Sequence, residues 1–388
     1  MSKQGIKVLA AAVITMLCLG SIYAWSIYVP FLMDDYGYSN LQTQLIFGSF
    51  IGIFTLSMVF GKGLLFKYGP KPLGIIAAVV YASGYFLAYF SGGVFALLFL
   101  GVAFLSGIAT GFGYLISISV PVEWFPQKKG LIMGLVSGGF GAGAILESLI
   151  AQYFFKEGFN LLLIFLIIGI TKGVLLLLAS GFIKWPDIEI SAEKPIPMAR
   201  LVTNGPLVKL FIGIFTGTFA GLLIIGNLKH IGLQYPIDYP VLVLGITFFS
   251  IANFSGRLFW GWLNDYVSGR LLIPLSLFFV GLFSLGIGFL ELTNTLYLLL
   301  SFLIGAAFGA NFVIYANETA RLFGLKNVGR YYPLVFLGYG ISGIAGPFTG
   351  GVLHDVFGNY QYAALISSAL AFIVLGSWLI FDRKRYNR

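Results

Sequence analysis

At 388 residues, with 59% hydrophobic and only 10% charged side chains and a mean hydropathy of +0.95, the chain lies far outside the range of soluble globular proteins. It reads as a polytopic membrane protein, and its 51 glycines, about twice the usual share, suit helices that approach one another closely. The net charge of +9 would suggest nucleic acid in a soluble chain, but here the charges sit in loops between apolar runs, and a single cysteine, Cys18, excludes an intramolecular disulfide.

The chain starts with a charged stretch followed by an apolar run to about residue 31 with no small-residue cleavage site, which reads as a retained first span. Hydropathy and helix breakers then predict twelve transmembrane helices, at 8–32, 44–65, 72–91, 94–121, 130–154, 161–183, 207–232, 240–263, 271–290, 294–319, 328–352 and 359–381. The longest polar interruption, 184–206, holds four prolines and charges of both signs. It predicts a six-helix bundle over 1–183, a cytoplasmic linker over 184–206 and a second six-helix bundle over 207–388.

Lys and Arg accumulate on the cytoplasmic side of membrane proteins. Placing both termini there puts 19 of the 23 basic residues on that side and leaves Lys156 alone on the other. The expected location is therefore the inner (plasma) membrane, with cytoplasmic termini. Lys172, Lys229 and Arg257 remain inside spans.

The halves also repeat. Gly107, Gly111 and Tyr114 in the fourth span correspond, at an offset of 198, to Gly305, Gly309 and Phe312 in the tenth, and the same offset takes Phe125 to Phe323. Two pseudo-symmetric six-helix bundles are a common way to build a central site that opens alternately to each side.

Arg257 lies well inside the eighth span, with Asn253 one turn earlier. A guanidinium there costs at least ~2.5 kcal/mol unless something solvates or pairs it, so it must face protein or water. The i, i+4 spacing puts both side chains on one face, where the amide and the forked guanidinium suit an anion. No Asp or Glu shares that face within the apolar part of the helix, which predicts an anionic ligand.

Other polar residues have competing readings. His230, near the outer end of the seventh span, can exchange protons near neutral pH and is the first candidate for proton coupling, while with Lys229 it could equally be an interfacial pair. Glu147, inside the fifth span, must be protonated or paired and is the second candidate; Lys172 either pairs with it or faces lipid headgroups. Glu123 and Glu318 suit gates with nearby Arg and Lys, and Tyr23 and Tyr28 either line a cavity or sit at the interface. No metal constellation, cofactor motif or phosphate loop is visible, so uphill transport must draw on an ion or substrate gradient. No nucleophile with its base supports an enzyme.

The loop after the eighth span, with Gly261, Leu263, Asp265, Gly269 and Arg270, resembles the loop signature of the major facilitator superfamily; its counterpart in the first half keeps glycines and lysines but lacks the Asp. The segment GFGYLISISVPVEWFPQKKGLIMGLVSGGFGAGA, Gly111 to Ala144, resembles the oxalate/formate antiporter family and the related bacterial monocarboxylate transporters. That resemblance implies an all-α major facilitator fold in which Arg257 binds a carboxylate, Tyr114 completes the polar shell and Phe308 and Phe312 form apolar walls. Family members that take oxalate carry a Lys on the eleventh helix, but here the span 328–351 has only Arg330, at its start, and Tyr339 takes the place of the Lys. One buried cation neutralises one carboxylate. The expectation is a monomeric secondary transporter of a small monocarboxylate such as L-lactate or pyruvate, taken together with a proton. An oxalate/formate-type exchanger and a non-transporting receptor on the same fold are the alternatives.

Overall fold

The structure is a computed structural model and describes residues 3–186 and 204–386. Among the described residues, twelve helices are long and apolar enough to cross a membrane. They are α1 Lys3–Trp25, α2 Leu41–Tyr68, α3 Pro70–Phe90, α4 Phe95–Trp124, α5 Pro126–Lys156, α6 Leu161–Ser180, α7 Gly205–Leu233, α8 Tyr239–Tyr266, α9 Gly269–Phe289, α10 Asn294–Phe323, α11 Leu325–His354 and α12 Gln361–Ile380.

Two spans depart from α-helical geometry over long stretches, of eight and seven residues. The sequence predicts a first span to residue 32, but α-helical geometry ends at Leu19, and Gly20–Ile27 winds as a 3-10 helix before a short helix over Val29–Tyr36. Close packing and Pro30 explain the break. A Cβ on Gly20 would stand 1.8 Å from the Phe140 carbonyl oxygen of α5, and Pro30, with no N–H to give, starts the next helix. In α4, Phe99–Leu105 forms a π-helical stretch against α3, where a Cβ on Gly84 would stand 2.5 Å from the Gly101 oxygen. The Ser106 hydroxyl donates to that same carbonyl at 3.1 Å, within the widened turn.

The chain folds as two compact units, Met1–Glu193 with Leu325–Pro333, and Lys194–Gly324 with Leu334–Arg388. The start of α11 belongs with the first unit, and there the guanidinium of Arg330 lies over the Phe66 ring at 5.5 Å. Most of the expected linker, 184–206, lies outside the described residues. At its near end Trp124 Nε1 donates to the Lys184 carbonyl at 3.0 Å, and at its far end the Asn204 side chain caps α7 by accepting from the Leu207 N–H at 3.2 Å.

The glycines of the sequence repeat do the same work in both units. In the first, a Cβ on Gly111 of α4 would stand 2.5 Å from the Phe54 oxygen of α2, and one on Gly107 would stand 3.3 Å from the Phe50 oxygen. In the second, Cβ atoms on Gly309 and Gly305 of α10 would stand 2.6 Å from the Asn253 oxygen and 2.4 Å from the Phe249 oxygen of α8. Small residues thus seat α4 on α2 and α10 on α8, backbone against backbone. Tyr297 of α10 adds a polar tie, its hydroxyl within 3.2 Å of both the Leu228 and Leu242 carbonyls.

Candidate functional site

In the second unit, α8 and α10 bring Arg257 into an aromatic enclosure. Arg257 is 0% exposed, and its Nε donates to Asn253 Oδ1 at 3.1 Å, the i, i+4 partner expected from spacing. Its guanidinium carbon lies 3.9 Å from the centroid of the Phe312 ring. Phe312 in turn meets Phe308 edge-on at 5.1 Å and Tyr339 of α11 edge-on at 5.2 Å. Gly309 lets α10 approach this part of α8, since a Cβ there would stand 2.6 Å from the Asn253 carbonyl oxygen and 3.1 Å from the Arg257 backbone nitrogen.

These contacts determine what the arrangement can do. The Asn253 amide oxygen holds one edge of the guanidinium, and Phe312 covers a face by cation–π attraction. The guanidinium is a planar, forked donor whose geometry matches a carboxylate. The surrounding Phe249, Phe308, Phe312, Phe336 and Tyr339 rings lower the local dielectric, which strengthens any charge-assisted bond made there. Phe249 and Phe336 were not expected; the signal was present, because Phe249, Asn253 and Arg257 run at i, i+4, i+8 and Phe336 and Tyr339 at i, i+3.

In the first unit, Tyr114 is buried within an aromatic cluster of its own. Its ring meets Phe54 at 5.2 Å and Phe140 at 5.5 Å, and Tyr23 meets Phe140 edge-on at 5.5 Å. The glycine contacts align Phe50, Phe54 and Met58 of α2 with Phe249, Asn253 and Arg257 of α8, each pair 199 positions apart. The polar positions of α8 therefore have apolar counterparts on α2.

The two proton-coupling candidates lie in different settings. His230 is exposed at the end of α7, its ring 6.4 Å from Tyr360, which also stacks on His354 at 4.6 Å. Its neighbour Lys229 bonds the hydroxyl of Tyr239, the first residue of α8, at 3.3 Å. Eighteen helical residues separate Tyr239 from Arg257, about 27 Å of rise, so His230 and the Arg257 enclosure stand at different levels. Glu147, by contrast, is buried and engaged: it forms an ion pair with Lys172 of α6 and accepts a hydrogen bond from the Tyr28 hydroxyl. Of the two readings of Lys172, the pairing with Glu147 is the one found. Glu318 takes Arg321 on the same helix, with Nε to Oε2 at 2.7 Å. At the loop motif after α8, Asn317 Nδ2 donates to Asn264 Oδ1 at 2.6 Å, tying α10 to the end of α8.

Twelve apolar helices in two units, each seating one helix pair by the same glycine contacts, have the architecture of a membrane transporter. The chain belongs to the Major Facilitator Superfamily, whose family profile matches residues 10–332 and 210–388. It is 28% identical over 346 residues to the uncharacterized MFS-type transporter YhjX of Escherichia coli, covering 87% of this chain and 85% of that one. It is 24% identical over 385 residues to the oxalate:formate antiporter of Oxalobacter formigenes, covering 94% and 88%. Monocarboxylate transporter 13 of Rattus norvegicus is 24% identical over 336 residues, covering 82% and 74%. Among solved structures, the transporter FucP in its outward conformation shares the fold with a TM-score of 0.75 at 17% identity, over 99% of each chain. The protein is a multi-pass membrane transporter and not an enzyme.

Proposed function

We propose that this transporter carries small monocarboxylates, such as L-lactate or pyruvate, together with a proton, by alternating access. The observation that carries the reading is the fully buried Arg257, oriented by Asn253 and stacked on Phe312. Its guanidinium forks onto the carboxylate, Tyr114 supplies a hydroxyl from the first unit, and Phe308, Phe312 and Tyr339 enclose the short apolar body. The protein works as a monomer in the plasma membrane with both termini in the cytoplasm, the side to which the basic loops point.

The likeness to an oxalate:formate antiporter favours a second reading, an anion exchanger. A dianion would leave net charge in a low-dielectric cavity unless a second cation met it. The α11 position that neighbours Phe312 is Tyr339, a neutral side chain, which supports the monocarboxylate.

Uptake of radiolabelled L-lactate into proteoliposomes, with and without an inward proton gradient and in the presence of excess pyruvate, formate or oxalate, tests the proposal. Gradient-driven uptake displaced by pyruvate and not by oxalate is the expected result. Uptake only against preloaded anion, displaced by oxalate, moves the reading to an exchanger.

A further inference from the structure

The first unit buries an ion pair that the carboxylate site does not use. Glu147 of α5 is 3% exposed and Lys172 of α6 is 13% exposed. The Glu147 carboxylate also accepts from the Tyr28 hydroxyl, which stands where α1 has left α-helical geometry. Tyr28 is packed among aromatic rings, meeting Phe165 at 5.3 Å and Trp25 at 6.1 Å, while Trp25 Nε1 donates to the Thr43 carbonyl of α2 at 3.0 Å. Besides Lys172 and Tyr28, the titratable groups within electrostatic reach of the carboxylate include, among the described residues, Cys18 on α1 and Tyr81 and Tyr85 on α3. All three are of types that carry no charge at physiological pH.

A buried ion pair is weak evidence for stability, because desolvation offsets most of its attraction. Its position suggests another use. Phe140 and Glu147 are seven residues apart on α5, so they share a face, and Phe140 touches both Tyr114 and Tyr23. The carboxylate is thus linked along α5 to the Tyr114 cluster and, through Tyr28, to the irregular end of α1.

Resting on the reading of proton-coupled monocarboxylate transport, we propose that Glu147, held between Lys172 and Tyr28, is the proton-binding site of the transport cycle, linked through α1 and α5 to Tyr114. The proton adds to the Glu147 carboxylate; Lys172 keeps its ammonium proton and Tyr28 its phenol proton, and only hydrogen bonds rearrange. Charge balance gives the coupling. The empty carrier holds Arg257 and a neutral Glu147–Lys172 pair, a net of one positive charge. The carrier loaded with one carboxylate and one proton holds the same net charge, whereas either half-loaded form differs by one. Burying a change of charge is expensive, so the empty and fully loaded forms are the ones that reorient.

The test uses wild type, Glu147→Gln and the doubly neutral Glu147→Gln/Lys172→Gln in proteoliposomes, and reads the inside-to-outside ratio of L-lactate at steady state under an inward proton gradient. Wild type concentrates lactate above unity, whereas both variants equilibrate it to unity. A variant that concentrates lactate as the wild type does overturns the proposal. A second arm needs no substrate: a pH-titrated infrared difference spectrum of wild type carrying isotope-labelled glutamate, in which a buried carboxylic-acid band grows in as pH falls. The band is absent from Glu147→Gln. If wild type shows no such band, the proposal falls whatever the variants transport; if the band is present and Glu147-dependent but lactate is not carried, the proton site stands and the lactate reading fails.

Discussion

Arg257 and Met58 hold corresponding places in two glycine-seated helix pairs: the Arg257 nitrogen lies 3.1 Å from where a Cβ on Gly309 would stand, and the Met58 nitrogen 3.1 Å from where one on Gly111 would stand. The same backbone scaffold thus carries a buried cation in one unit and a buried thioether in the other. In the proposed reading, charge recognition of the carboxylate falls to Arg257 of the second unit, because the corresponding place in the first unit carries no charge.

Asn253 orients Arg257 by accepting from its Nε at 3.1 Å. Changing Asn253→Asp keeps shape and acceptor but adds an internal carboxylate that competes for the guanidinium. The expected outcome is a loss of L-lactate affinity of about tenfold or more, with thermal stability unchanged or raised. Competition binding and a melting curve on the purified protein check both halves of the prediction.

Phe312 covers a face of the guanidinium at 3.9 Å. Phe312→Leu retains apolar volume and removes the ring quadrupole. The loss is about 1 kcal/mol, roughly a fivefold rise in the half-saturating lactate concentration, read in initial-rate uptake. Phe312→Tyr keeps the ring and leaves the value near that of wild type.

Gly309→Ala places a methyl 2.6 Å from the Asn253 carbonyl oxygen, and backbone cannot give way as a flexible side chain can. It destabilises by about 1–3 kcal/mol through forced separation of α8 and α10 and impairs transport by displacing Arg257. Gly376→Ala on α12, where nothing lies within 4 Å, serves as the control and melts at the same temperature or higher. Comparing the two melting temperatures in one detergent distinguishes close packing from glycine content.

Much of this architecture is legible in the sequence because lipid imposes simple rules. Each span announces itself by length and apolarity, and Arg257 with Asn253 is visible because a cation inside an apolar run demands an explanation. The glycine repeat is visible as spacing alone, and the structure supplies its reason in backbone contacts to α2 and α8. The unwinding of α1 after Leu19 was not legible, since it answers to Phe140 on a distant helix and Gly20 gives no sign of which helix it will meet. Phe54 and Phe140 were equally hidden: with 39 phenylalanines in the chain, neither stands out until packing selects it. Lys172 alone suggested two partners, and its pairing with Glu147 depends on how α5 and α6 turn toward each other.

The central claim is that Arg257 binds the carboxylate of the transported substrate. L-lactate counterflow, in which labelled lactate enters proteoliposomes preloaded with unlabelled lactate, tests it directly because net proton movement is not required. The account predicts robust counterflow by wild type and a fall of roughly 30-fold or more in Arg257→Ala, since loss of a buried, hydrogen-bonded charge costs about 2–5 kcal/mol, with Arg257→Lys recovering only part of it. Counterflow by a folded Arg257→Ala at the wild-type rate and affinity would contradict the account.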